Sequence, residues 1–317
     1  PLHLAISFFT FWVLNVLVLF KGMNEVKNFE LIAGPLVLLT LGGLLTYAIM
    51  QAHGLPLIRG YGTPTVSSVA LGISTMAGFW ATLVLNIPDF TRFSRSQKDQ
   101  LIGQAIGLPI LTLLFSFVAV GLTSTMIYLY HIPSSEALQY ANPVNIMYLF
   151  TNNPVLTLVT GISLVIATIS VNVAANIVSP VYDLISLFPR KLDWGKSALI
   201  AAIVSLFYVP WLWYSSSSGI ENVINLIGAG LGSVAGVMIA HYWVLDKTEI
   251  SLIDLFRPGG KYWYTLGYNV EGIIAMFIGF VVPILGFILP ILSFLYSYGW
   301  YLSFFISMGT YLLIKKN

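Results

Sequence analysis

Ala167-Thr168-Ile169-Ser170-Val171-Asn172-Val173-Ala174-Ala175-Asn176-Ile177-Val178-Ser179-Pro180 is the stretch that decides the fold. It lies in an apolar run, residues 156–187, in which Asp183 is the one charged side chain. A helix needs about 20 mainly apolar residues to cross a bilayer. This run is too long for one simple span and is expected to hold a break. Thr168, Asn172, Asn176, Ser179 and Asp183 recur at three- and four-residue steps, so they share one helical stripe. Ser163, Ala167, Ser170 and Ala174 form a second stripe of small residues. Two readings stand for these stripes: close helix packing with asparagines as interhelical glue, or the lining of a polar cavity by amides that both donate and accept.

Working outward, eight more apolar runs fit a membrane span, at 4–20, 31–50, 66–87, 108–130, 198–213, 223–245, 273–289 and 299–314. The whole composition agrees. Of the 317 residues, 57% are hydrophobic and 8% charged, against about 25% charged in an ordinary soluble domain. Such a chain cannot clothe a water-soluble surface, which excludes soluble enzymes, and a net charge of +2 is too small for nucleic-acid binding. The absence of cysteine excludes disulfides, thiolate metal sites and cysteine nucleophiles. The four histidines lack metal-ligand spacing.

The cations test the span count. Lys21, Lys27, Arg92, Arg95, Lys98, Arg190, Lys191, Lys196, Lys247, Arg257, Lys261, Lys315 and Lys316 fall in odd-numbered loops or at the C-terminus. Arg59 alone falls in an even-numbered loop. The positive-inside rule then places the odd loops and the C-terminus in the cytoplasm and residue 1 outside. A protein starting inside would need an odd number of further spans upstream.

Within the spans, no acid or base is expected near a centre; Asp89, Asp183 and Glu271 lie near predicted ends. Proton pumps with buried carboxylate chains and charged-ring channels are disfavoured on that ground. The third span carries Gly72, Ser74, Thr75, Gly78, Phe79 and Trp80. Gly78 reads either as a packed glycine or as an unwound turn lining a cavity, with Trp80 offering a flat apolar face beside it. Gly228, Gly232, Gly236 and Ala240 form a small-residue ridge assigned to helix contact. Trp213, Tyr214, Trp300 and Tyr301 read as interfacial anchors. Asp89 and Arg92 read as a local ion network after the third span.

Two motifs carry a resemblance. Gly78-Phe79-Trp80-Ala81-Thr82 followed by Asn86-Ile87-Pro88-Asp89-Phe90-Thr91-Arg92 and Ser94-Arg95-Ser96-Gln97-Lys98-Asp99-Gln100 resembles the sixth-helix-and-loop signature of the nucleobase:cation symporter-1 family. Ser170 to Pro180 resembles that family's eighth helix, in wording closest to bacterial allantoin, uracil and hydantoin permeases. The resemblance implies an all-α integral membrane protein corresponding to helices 4–12 of a 5+5 inverted-repeat (LeuT-like) transporter, its first three helices absent. Residues 1–50 would complete the first repeat, 66–245 would form the second, and 270–314 would supply two additional helices.

The resemblance also assigns roles. Trp80 would stack on a planar substrate and Asn176 would pair with its amide edge, with Phe79, Gly78 and Asn172 beside them. Ala167 and Ser170 match positions of a sodium site, while Val171 stands where the family's pattern has a hydroxyl. No cofactor is implied, and either Na+ or H+ would be the coupling ion. The implied protein is a monomeric permease of the inner membrane, importing a small neutral heterocycle such as allantoin or uracil by alternating access. Its partners are that substrate and the lipid bilayer, with no nucleic acid. An amino-acid permease of the same fold and a channel-like facilitator are the rival readings. An enzyme is not implied, because no nucleophile–base pair stands at mid-depth.

Overall fold

The computed structural model describes residues 2–20, 22–56, 65–133, 136, 152–208 and 217–315. Arg59, Trp213 and Tyr214 lie outside the described residues. Among the described residues the regular secondary structure is helical, apart from an isolated bridge between Thr265 and Tyr268 in the stretch of turns that joins residues 245 and 270. The elements are α1 (Leu2–Phe20), α2 (Met23–Gln51), α3 (Val66–Trp80), α4 (Leu83–Thr91), α5 (Gln97–Leu129), α6 (Pro154–Leu187) and α7 (Trp194–Phe207). There follow α8 (Ser217–Ile239, running on as a π-turn through Ala240–Leu245), α9 (Val270–Ile288), α10 (Ser293–Ser297) and α11 (Gly299–Lys315).

Each of the nine predicted spans has a helix at its place. Among the described residues, 6 helices are long and apolar enough to cross a membrane alone, and up to 8 spans result if two bent pairs each count as one. The pairs are α3 with α4, bent by 49°, and Pro290–Ser297 with α11, bent by 79°. The sixth predicted span is represented by α7, which has 14 residues and runs to the edge of a segment outside the described residues. Large apolar side chains such as Leu39, Leu113 and Phe277 stand exposed along the helices. In water they would be a liability; a hydrocarbon surround is what they fit. The chain is a multi-pass membrane protein.

Two compact units divide the chain, one of Pro1–Thr63 with Asp89–Tyr208, the other of Pro64–Pro88 with Val209–Asn317. In the first, Leu19, Val26, Ile169, Val173, Val178, Val181 and Ala198 form one core. Two indoles tie α1 to α7 across it. Trp12 Nε1 donates to the Ala202 carbonyl at 3.1 Å, and Trp194 Nε1 to the Leu19 carbonyl at 2.7 Å. An indole N–H left unpaired there would carry its full desolvation cost.

In the second unit the small ridge of α8 packs as read. A Cβ on Gly228 would lie 2.8 Å from Gly78 Cα, so these two backbones touch. A Cβ on Gly232 would lie 2.8 Å from the Trp300 carbonyl, and one on Gly236 would collide with the Phe304 carbonyl and Ser307 Oγ. Trp300 departs from its reading as an interfacial anchor. Its ring stacks on Phe304 at 5.4 Å, and its Nε1 is buried without a hydrogen-bond partner. A helix seat filled by glycine admits this indole, so packing overrides the preference for the interface.

One end of α8 is fastened by a polar network. His241 Nδ1 lies 2.8 Å from the Tyr311 hydroxyl, to which Asn269 Nδ2 donates at 2.8 Å. Just beyond the helix, Asp246 accepts from Lys261 at 2.8 Å and from Tyr262 at 2.9 Å. Burial works against the Asp246 carboxylate, yet these hydrogen bonds and the neighbouring charges hold its carboxyl below the usual range.

The packing of the ridge predicts a contrast between two Gly→Ala changes. Gly236→Ala drives a methyl into backbone and should destabilise the detergent-solubilised protein by about 1–3 kcal/mol. Gly43→Ala meets nothing within 4 Å and should be neutral or stabilising by up to about 1 kcal/mol. Thermal unfolding of the two variants side by side checks this; equal midpoints would refute it.

Candidate functional site

α6 runs unbroken from Pro154 to Leu187, and in place of the expected break it holds a π-turn, Asn172–Ile177. Its cause can be read in Pro180. A proline has no N–H to give the carbonyl four residues back, and its ring crowds that carbonyl, here of Asn176. The helix widens by one residue, and Val178 N bonds Val173 O instead. Another π-turn, Ile106–Ile110, has Pro109 inside it, whereas the one at Ala240–Leu245 has no proline.

The wider turn splits the polar stripe. Ser179 is fully buried, whereas Thr168 is exposed and its hydroxyl bonds back to the Leu164 carbonyl. Asn172 and Asn176, set at the pitch of a π-turn, stack on each other. Asn176 Nδ2 donates to Asn172 Oδ1 at 2.9 Å, and Asn172 Nδ2 donates to Asn15 Oδ1 on α1 at 3.0 Å. Asn15 is buried, 3% exposed, and its own Nδ2 donates to the Phe11 carbonyl at 2.8 Å. Asn176, at the other end of the chain of amides, is exposed. Asn15 was not among the sequence candidates. Its signal is the pattern of the buried residues of α1, where Asn15 and Leu19 stand four apart on one face.

The second stripe of α6 packs on α2. Thr40 Oγ1 and Ser163 Oγ lie 3.0 Å apart. Ala167 lines a small cavity with Val37, Thr40, Leu41, Thr160, Ser163 and Leu164. Ser170 Oγ donates to Glu30 Oε2 at 2.5 Å, and Glu30 Oε1 is buried with no hydrogen-bond partner among the described residues. Glu30 falls outside the second span as read at 31–50, yet it stands within the helix, away from its centre. α2 starts at Met23, not at residue 31, so Glu30 is two turns into the helix. It also falls in register with the buried face Val26, Ala33, Val37, which was the available signal. Val171 is 60% exposed and brings no oxygen to this contact.

In the second unit, Gly78 is a packed glycine. A Cβ there would sit 3.2 Å from the Ile224 carbonyl. The unwound turn lies further on, at Ala81 and Thr82, where Ala81 N bonds Gly78 O at 3.3 Å and the helix bends. Trp80 is therefore the last residue of α3, 37% exposed, with its ring edge-on to Phe79 at 5.4 Å. Phe79 is 57% exposed. In the first unit, Arg92 pairs with Asp89 at 3.8 Å and lies 3.6 Å over the ring of Tyr182 on α6, which is the local ion network expected after the third span.

Chemically, the first unit offers uncharged amides at a widened turn and a carboxylate with one bare oxygen, and the second unit, by itself, offers an indole face at a helix break. The family model described as permease for cytosine/purines, uracil, thiamine and allantoin matches residues 2–308. The allantoin permease of Bacillus subtilis is 39% identical over 323 residues, covering 99% of this chain and 64% of that protein. The hydantoin permease of Microbacterium maritypicum is 26% identical over 293 residues, covering 86% of this chain and 57% of that protein. The chain thus spans less than two thirds of the length of either relative. A solved nucleobase-cation-symport-1 family transporter, in a closed conformation with bromovinylhydantoin bound, is similar in fold. Its TM-score is 0.64 at 24% identity, over 100% of this chain and 68% of that one.

Proposed function

The chain belongs to the family of permeases for cytosine/purines, uracil, thiamine and allantoin, and from that premise we propose that it serves a secondary transporter, not an enzyme, for a neutral nucleobase, ureide or hydantoin. The observation that carries this reading is the exposed Asn176 amide at the π-turn of α6, backed by Asn172. A flat heterocycle with urea-like edges needs an amide to match its donors and acceptors and an aromatic face to stack on. Trp80 supplies the face, Asn176 the edge contact, and Gly78 and Phe79 the local backbone. Relatives named for allantoin, hydantoin and uracil support the substrate class. Import by alternating access, the inner membrane as location, a cytoplasmic C-terminus, a monomeric state and the repeat assignment of 1–50, 66–245 and 270–314 all belong to this proposal.

Coupling is read at Glu30. A half-buried carboxylate with one oxygen enclosed and unpaired is costly unless a proton or a cation neutralises it. Val171 withholds the hydroxyl that a sodium site of the family's pattern would use, and hard cations want oxygen ligands. A proton on Glu30, exchanged as the Ser170 contact is made and broken, is the coupling we favour. Ala167 and Ser170 then shape the contact between α2 and α6 rather than hold sodium.

Two sets of measurements test these readings on the full-length protein. Asn176→Ala leaves substrate polar atoms unpaired and should weaken substrate binding by roughly 1–3 kcal/mol, about 5- to 150-fold. Trp80→Ala should weaken it too, and Trp80→Phe should keep part of it. Wild-type affinity in both alanine variants would refute the site. For coupling, uptake should be equal in sodium and choline media and should fall with a proton uncoupler. Glu30→Gln should abolish accumulation against a gradient while retaining exchange of internal for external substrate. Strong stimulation by sodium, or unimpaired accumulation in Glu30→Gln, would overturn the coupling assignment.

A further inference from the structure

The amide chain from α1 to the π-turn has a direction, and its root determines that direction. An amide's oxygen and nitrogen have the same shape, so their assignment follows from the partners. The Phe11 carbonyl can only accept. Asn15 must therefore turn its Nδ2 towards it, at 2.8 Å. Its Oδ1 is left facing Asn172, which must answer with Nδ2, at 3.0 Å. The Oδ1 of Asn172 in turn faces Asn176, which again answers with Nδ2, at 2.9 Å. Reversing Asn15 or Asn172 would set oxygen against oxygen at one junction and N–H against N–H at the other, and reversing Asn176 would set its oxygen against that of Asn172. The cost would be greatest at Asn15, the most buried of the three, where a lost partner is not replaced by water.

We propose that Asn15 is a positioning residue that sets substrate specificity from a distance: through Asn172 it locks the Asn176 amide with Nδ2 held inward, so that Oδ1 is the group offered to the ligand. This rests on the reading that Asn176 pairs with the substrate. Its consequence is chemical. One N–H of Asn176 Nδ2 is left over for a ligand carbonyl, but the ligand atom that meets Oδ1 must be an N–H donor, as on the ring edges of a ureide, an imide or a hydantoin. An edge whose nitrogen is alkylated finds an acceptor with nothing to accept. Without Asn15 the terminal amide is free to turn over and offer N–H instead, and the preference for a donor edge relaxes.

The test uses the full-length protein and measures binding of allantoin, hydantoin, uracil and the ring N-methyl derivatives of whichever of them binds. In the wild type one N-methyl position should cost roughly 5- to 150-fold in affinity. The bulk of the methyl acts equally in wild type and variant, so it cancels when their ratios are compared. Asn15→Leu and Asn15→Ala should bring that ratio down at least several-fold, with the parent ligand still bound. If neither variant assembles, Asn172→Ala cuts the same relay one link later and should show the same relaxation. A purely structural Asn15 would weaken all ligands in proportion and leave the ratio unchanged, which overturns the inference. Asn176→Ala separates the two levels. If it binds like the wild type, or if none of the three ligands binds the wild type, the site reading fails and the inference falls with it. If it weakens binding while the Asn15 variants keep the ratio, the relay alone fails.

Discussion

In hydrocarbon, every polar group must find its partner within the protein, and the architecture of this chain follows from that constraint. Pro180 removes one helical hydrogen bond from α6, and the helix answers by widening rather than by stopping. The widened turn brings Asn172 and Asn176 into register with each other and with Asn15. A run of amides that would be prohibitive singly is satisfied as a relay, except at its exposed end. The same constraint explains the tryptophans of the first unit, each of which spends its N–H on a carbonyl of a neighbouring helix. The constraint is also left unmet at Trp300 Nε1 and at the hydroxyls of Thr160, Ser179 and Ser197, but Glu30 Oε1 belongs to an ionisable group and Asn176 is exposed, and it is at these two that we look for chemistry.

Close backbone approach is the second organising element. The glycines of α8 let α3 and α11 come to van der Waals contact, and Gly78 meets Gly228 with no side chain between them. That contact holds the body of α3 in place just before the helix breaks at Ala81 and Thr82. Trp80 is thus presented at the end of an anchored helix rather than on a loose loop, which suits an aromatic platform whose geometry must be reproducible.

Much of this was legible in the residues. Apolar length located the helices, because lipid accepts little else, and the surplus of residues in α6 led to the expectation of a break where the helix instead widens into a π-turn. The small-residue ridge of α8 was read correctly as packing, since spacing by four leaves only one face. Three things were misjudged, each for a physical reason. Glu30 was left outside its helix because hydropathy sees where apolar residues begin, not where backbone hydrogen bonding begins. The polar stripe of α6 was drawn at 3.6 residues per turn, and a π-turn does not keep that period. Asn15 was passed over because a single amide in an apolar helix announces nothing until its partner on another helix is known. The roles of Trp80 and Asn176 came from family resemblance, which neither spacing nor composition could have supplied.

The central claim is that substrate is held by an uncharged amide at the α6 π-turn and by the indole at the α3 break. A structure of the full-length protein with allantoin or hydantoin bound tests it most directly. The account predicts ligand N–H within about 2.7–3.2 Å of Asn176 Oδ1, the ring lying flat on Trp80, and Asn15 and Asn172 in the relay described. A ligand seated away from both side chains, or one meeting Asn176 through its Nδ2 with the relay reversed, would contradict it.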